Sequence, residues 1–137
     1  MEYKFSRGYA RFALSTMFGV DPLQIPLNAP PGRPPKLDSG WGFMSLSHCK
    51  NALLVGWSPY KIGVDIEASN RLINGLKLAE KILSFEEKKV LKNMDLSQAN
   101  KLIISKWVAK EAAIKWQGGN IHKDIYQWGS SQLSGFY

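Results

Sequence analysis

The sequence predicts an α+β domain in which antiparallel strands pack against helices. Three observations carry that expectation. Apolar residues recur at helical spacing over 3–18 and again over 97–116. Short apolar or alternating runs at 41–48, 51–57 and 61–67 read as strands. The composition, 45% hydrophobic and 21% charged in 137 residues, is that of a globular domain large enough to bury a real core.

Taken in order, Tyr3 to Phe18 is expected to be an amphipathic helix. Phe5, Tyr9, Phe12, Ala13 and Met17 share the face predicted to be apolar and inward, Arg7 and Arg11 point away from it, and Gly19 stops it. The segment Asp21 to Leu37 holds six prolines, which exclude helix interior and central strand and leave a loop or extended connector that projects Arg33. Trp41 to His48 and Asn51 to Trp57 read as two strands, and Ser58 to Tyr60 as a turn. In Lys61 to Glu67, Ile62, Val64 and Ile66 alternate onto one face while Gly63, Asp65 and Glu67 share the other, which predicts a third strand.

Asn70 to Leu83 leads into helix. Ser84, with Glu87 in the reciprocal position of a capping box, starts another whose buried residues are expected to be Val90 and Leu91. Asn93 to Leu96 is read as a loop and Ser97 as the start of the long helix, which Gly118 and Gly119 end. The tail offers two short apolar pieces, IYQW and LSGFY, as one or two strands.

No apolar run approaches a membrane span and the N-terminus lacks a signal-peptide core, so a cytoplasmic protein without a membrane partner is expected. The lone Cys49 cannot form an internal disulfide. Beside His48 in a strand it faces the opposite way, which favours a small packing residue over a nucleophile. The formal charge is +7, with 7 basic and 5 acidic residues over 1–70 and 11 and 6 over 71–137. Such a surface favours anionic partners. A nucleic-acid domain would be one reading, but the chain has no recognisable motif and no dense basic stripe.

The residues that promise chemistry are acids. Glu111 falls within the apolar stripe of Ile103, Ile104, Trp107, Val108 and Ile114, where a carboxylate is costly unless paired. Lys115 lies one turn on, so the simplest reading is an i,i+4 ion pair at the stripe's edge. Asp65 and Glu67 stand side by side beside the open space at Gly63. Like charges so close need a cation or donors to compensate. Two acids from one segment and a third from a helix would make an oxygen-only site of the kind that suits magnesium and substrate phosphates, with Lys115, Arg33 and His48 as cationic candidates. The chemistry would then be metal-assisted phosphoryl-type transfer.

GVDIE at Gly63–Glu67 together with WVAKEAAIK at Trp107–Lys115 resembles the 4′-phosphopantetheinyl transferase superfamily. PGRPP at Pro31–Pro35, FMSLSHCK at Phe43–Lys50 and SFEEKKVL at Ser84–Leu91 are similar to three further segments of that family. About sixty residues precede the GVDIE motif, which favours the larger, surfactin-synthetase-activating (Sfp-like) branch over the short holo-acyl-carrier-protein-synthase branch.

The resemblance implies a phosphopantetheinyl-transferase-like fold, one domain over 1–137 built as two approximate halves, 1–60 and 61–137. It implies that Asp65, Glu67 and Glu111 bind Mg²⁺ with the pyrophosphate of coenzyme A. Glu111, or a water it orients, would take the proton from a carrier-protein serine, and Lys115 would contact the pyrophosphate as 3′,5′-ADP leaves. Arg33, Ser47 and His48 would hold the adenosine 3′-phosphate end. The partner would be an acidic acyl or peptidyl carrier protein of fatty-acid, polyketide or nonribosomal peptide synthesis. Arg33, Ser45 and Cys49 depart from the usual Lys, Asn and Ser. The chain is also short for this branch, with both ends expected to be abbreviated. A shortened relative that binds coenzyme A or a carrier protein without turnover is the alternative, and self-association that covers an exposed sheet edge is a corollary.

Overall fold

In a computed structural model, which describes residues 3–69 and 75–129, the chain divides into two compact units, Met1–Ile66 and Glu67–Tyr137. No helix among the described residues is long and apolar enough to cross a membrane. Together the units mix helix with antiparallel strands, as an α+β fold requires.

The first helix, α1, spans Tyr3–Phe18 as predicted, but it buries the other face. Ser6, Ala10 and Leu14 are inaccessible or nearly so, while Phe5, Tyr9, Phe12 and Met17 are exposed. The reason lies in side-chain size and in Arg11. The row Ser6, Ala10, Leu14, Phe18 is small at one end, which lets the helix approach its neighbours closely. At the other end Phe18 meets Trp41 and Trp57 edge-on, each with ring centroids 5.2 Å apart. Arg11 is half-buried and donates to the backbone carbonyls of Pro22, Ile25 and Leu27, which holds that side of the helix against the following loop.

The proline-rich segment is ordered by its own turn chemistry. Asp21 and Gln24 form a capping box around the 3-10 turn Pro22–Gln24. Two short strands then pair, β1 (Leu27–Asn28) with β2 (Lys36–Leu37). The main hairpin is β3 (Phe43–Cys49) with β4 (Ala52–Ser58), antiparallel in a register that sets Met44 opposite Trp57 and Leu46 opposite Val55. These four side chains share a face and pack with Ala10, Leu14 and Ile25 into the core of the unit. Gly42 enters β3 at φ +77°, and a Cβ there would lie 2.6 Å from the Ser58 carbonyl oxygen, so only glycine fits.

Lys61 to Glu67 does not form the predicted strand. Its alternation is nonetheless used in packing: Ile62 and Val64 lie against Gly56 of β4. The ladder fails because serine hydroxyls take the place of a strand. Val64 N–H donates to Ser45 Oγ (3.0 Å) and Ile66 N–H to Ser47 Oγ (3.3 Å). Two alternate amides of the segment are thus held by two alternate side chains of β3.

The second unit is helical where it is described: α2 (Gly75–Ile82), α3 (Phe85–Leu91), α4 (Leu96–Gln117) and α5 (Ile121–Asp124). Ser84 and Glu87 close the predicted capping box on α3. Val90, expected inside, is exposed; Glu87 is the buried residue of that helix. Helix α4 starts one residue before Ser97, at Leu96, because Asp95 rather than Ser97 caps it, accepting from Gln98 N–H. Gly118, at φ +77°, ends it in the left-handed conformation, as the sequence predicts. Ile103 and Ile114 join Ala79, Ile82, Leu83 and Ile125 in the core of this unit. IYQW is not a strand: Ile125–Gln127 forms a 3-10 turn directly after α5, with Ile125 filling the core. LSGFY lies outside the described residues.

Candidate functional site

Ser47 is the residue that fixes the first acid. It sits on the face of β3 turned toward residues 61–66, is 7% exposed, and donates to Asp65 Oδ1 at 2.6 Å while accepting from Ile66 N–H. A hydroxyl so placed sets the rotamer of the carboxylate through a short, charge-assisted hydrogen bond. His48, the next residue, is exposed and points to the opposite face of the strand, so the two side chains do not converge. Arg33 is exposed in the connection between β1 and β2, its N–H closing a turn on the Pro30 carbonyl at 3.3 Å.

Glu111 and Lys115 meet as the helical spacing predicts, with Nζ to Oε2 at 3.5 Å on α4. Both are half-buried, with side chains 19% and 31% exposed, so the carboxylate is sheltered without being sealed from solvent.

One residue along, the sequence concealed a more deeply buried pair. Lys110 is 1% exposed; its ammonium donates to Glu87 Oε2 at 2.9 Å and to the carbonyl of Ile82, the last residue of α2. Glu87 Oε2 also accepts from Ser84 N–H at 2.9 Å, and Lys106 stands 3.7 Å from its other oxygen. Lys110 therefore ties the end of α2, the start of α3 and the middle of α4 at one point, and with it the rotation of α4 that decides where Glu111 points. Only the capping-box spacing of Ser84 and Glu87 hinted at this cluster. A lysine at the centre of a helix gives no sequence signal of burial.

Asp65 belongs to the N-terminal unit, and Glu67 and Glu111 to the C-terminal one. Among the described residues, neither unit by itself gathers three His, Cys, Asp or Glu side chains into a metal-holding group. The donor set fits magnesium in its chemistry, since every predicted ligand is a hard carboxylate oxygen and one is already oriented by a hydroxyl.

Ser47→Ala tests the local arrangement. It removes one bond from Asp65 and one from the Ile66 amide, and should lower stability by about 1–3 kcal/mol. Thermal unfolding followed by circular dichroism would measure it. A variant as stable as the unmutated chain would show that these bonds contribute nothing.

No curated protein matches the chain. A model of the 4′-phosphopantetheinyl transferase superfamily matches residues 61–133, more than half of it. That span contains Asp65 and Glu67, the capped α3, and α4 with Lys110, Glu111 and Lys115. The match assigns a transferase of phosphopantetheine as the class of activity, and on it the chain belongs to the 4′-phosphopantetheinyl transferase superfamily.

Proposed function

We propose that the chain is an Sfp-like, Mg²⁺-dependent transferase that moves 4′-phosphopantetheine from coenzyme A to a serine of an acidic acyl or peptidyl carrier protein. The observation that carries this reading is the family match over a segment whose acids are held in place, Asp65 by Ser47 within one unit and Glu111 beside Lys115 within the other.

In this reading Asp65, Glu67 and Glu111 supply the carboxylates for the metal. Bound Mg²⁺ would offset the charge of the pyrophosphate, which three acids alone would repel. Glu111, directly or through a water, accepts the proton of the carrier serine. The serine oxygen then forms a bond to the phosphorus that bears the pantetheine arm, and the bond from that phosphorus to 3′,5′-ADP breaks. Lys115 meets the negative charge that grows on the departing group, and its pairing with Glu111 keeps it within reach of the same place. Arg33, Ser47 and His48 are proposed to bind the 3′-phosphate of the adenosine end, and Ser47 also positions Asp65. The +7 charge favours the encounter with an acidic carrier.

The test is to incubate the chain with coenzyme A, Mg²⁺ and an apo carrier protein and to weigh the carrier. A phosphopantetheine adduct that forms only with the divalent ion is the expected result. Coenzyme A binding without any adduct would favour the non-catalytic relative instead.

A further inference from the structure

Asp65 lies on a segment that is not a strand, so the residues on either side of it decide where its carboxylate stands. Ile66, on one side, is anchored by its amide at Ser47. Val64, on the other, is held by two residues that face each other across the hairpin: Ser45 of β3 and Gly56 of β4 are direct partners in the register. Ser45 is buried and accepts from the Val64 N–H at 3.0 Å. Gly56 supplies the room. A Cβ there would lie 2.7 Å from Val64 Cγ1 and 3.0 Å from Ile62 Cδ1, against about 3.5–4.0 Å for an ordinary carbon contact. The backbone does not call for glycine at this point, since Gly56 is not among the glycines with positive φ. A glycine inside a strand weakens it, and its use there marks the close approach of another part of the chain. Here that part is the residue next to Asp65.

We propose that Ser45 and Gly56 are positioning residues for the Asp65 carboxylate. Together they form a saddle that sets the height of Val64 over the hairpin, and with it the point at which the next side chain is presented. The inference rests on the transferase reading in one respect, that Asp65 serves a divalent ion. The distances leave little slack. A side chain at position 56 would press Val64 outward by about 1 Å to reach ordinary contact. The bond from Ser47 Oγ to Asp65 Oδ1 is 2.6 Å long, and a displacement of that size along it would give roughly 3.6 Å, beyond hydrogen-bond reach. A ligand to a metal ion tolerates still less, about 0.2 Å. Ser45 acts in the same direction from the other side of the saddle. Without its hydroxyl the Val64 amide has no acceptor on β3 to draw it down, and Ser47 alone holds the segment beside Asp65.

The test compares Gly56→Ala with Gly56→Ala/Val64→Ala, in which the methyl group that meets the new Cβ is gone, and with Ser45→Ala, which removes the acceptor and adds no atom. Two quantities are read on each full chain. One is the nuclear magnetic resonance of the Asp65 carboxyl carbon, without metal or coenzyme A. The other is the ratio of coenzyme A affinities with Mg²⁺ and with a chelator. Gly56→Ala and Ser45→Ala are expected to shift the resonance and to lower the ratio by about tenfold, with circular dichroism unchanged. The Gly56→Ala/Val64→Ala variant is expected to recover both, which a loss of packing alone would not produce. If Gly56→Ala does not fold, Ser45→Ala decides, because it introduces no clash. Variants that leave the resonance and the ratio unchanged, or a second substitution that restores neither, would overturn the proposal. An unmutated chain whose coenzyme A binding ignores Mg²⁺ would count against the transferase reading, and the resonance would still decide the placement of Asp65.

Discussion

Glu111→Ala is expected to abolish phosphopantetheine transfer, by a factor of 10³ or more, and to remove the divalent-ion dependence of coenzyme A binding while leaving the fold intact. The magnitude follows from asking one carboxylate to do two things. As a general base it is worth about 10²–10⁴, and as a metal ligand its loss also weakens the charge compensation on the pyrophosphate. The fold should survive because the side chain is half-buried at the edge of its unit, outside the core that Ile103 and Ile114 build. Removing it also leaves Lys115 without its i,i+4 partner, a minor effect on a partly exposed lysine. Single-turnover transfer, coenzyme A titration with and without Mg²⁺, and circular dichroism separate the three statements. A Glu111→Gln variant with full activity would remove Glu111 from the chemistry.

Lys110→Met is expected to have the largest effect on stability, about 3–5 kcal/mol, because it takes the nearest buried cation from a Glu87 carboxylate that is 7% exposed and leaves it the more distant Lys106 and the Ser84 amide. It also deprives the Ile82 carbonyl of its donor at the end of α2. For a domain of this size such a loss lowers the melting temperature by about 10 °C or more. Glu87→Gln should also destabilise, by leaving the Lys110 ammonium buried beside a neutral group. The double variant should cost less than the two single losses combined, since the second change removes the charge whose closest partner the first took away. Strict additivity would mean that Lys110 and Glu87 are not energetically coupled. Because Lys110 and Glu111 are consecutive on α4, even the folded fraction of Lys110→Met should show weakened transfer.

What the sequence made legible follows from the strength of each local signal. The capping box of Ser84 and Glu87, the left-handed stop at Gly118 and the Glu111–Lys115 spacing each depend on a few adjacent residues, and each stands as predicted. The sequence points to the wrong face of α1, because an aromatic stripe outweighs a row of Ser, Ala and Leu on any hydrophobicity count. The burying face was chosen instead by close approach and by the bonds of Arg11 to a loop that lies 11–16 residues away. The alternation of Lys61 to Glu67 predicts a two-faced strand, whereas Ile62, Val64 and Asp65 all address the face of the hairpin that carries Ser45, Ser47 and Gly56. That serine side chains of β3 would replace its ladder could not be seen without the register that brings Ser45 to Val64 and Ser47 to Ile66. Of the candidate site, the acids were legible from their motifs. The groups that hold them, Ser47 for Asp65 and Lys110 for the turn of α4, were not, since neither polar burial nor a long-range partner leaves a periodic trace.

The claim at the centre is that Asp65, Glu67 and Glu111 serve one divalent ion that receives the pyrophosphate of coenzyme A. Calorimetric titration of coenzyme A into the unmutated chain, with Mg²⁺ and then with a chelator, measures this without requiring turnover or a carrier protein. The account predicts binding that weakens at least tenfold when the ion is withdrawn. Equal affinity in both conditions would contradict it.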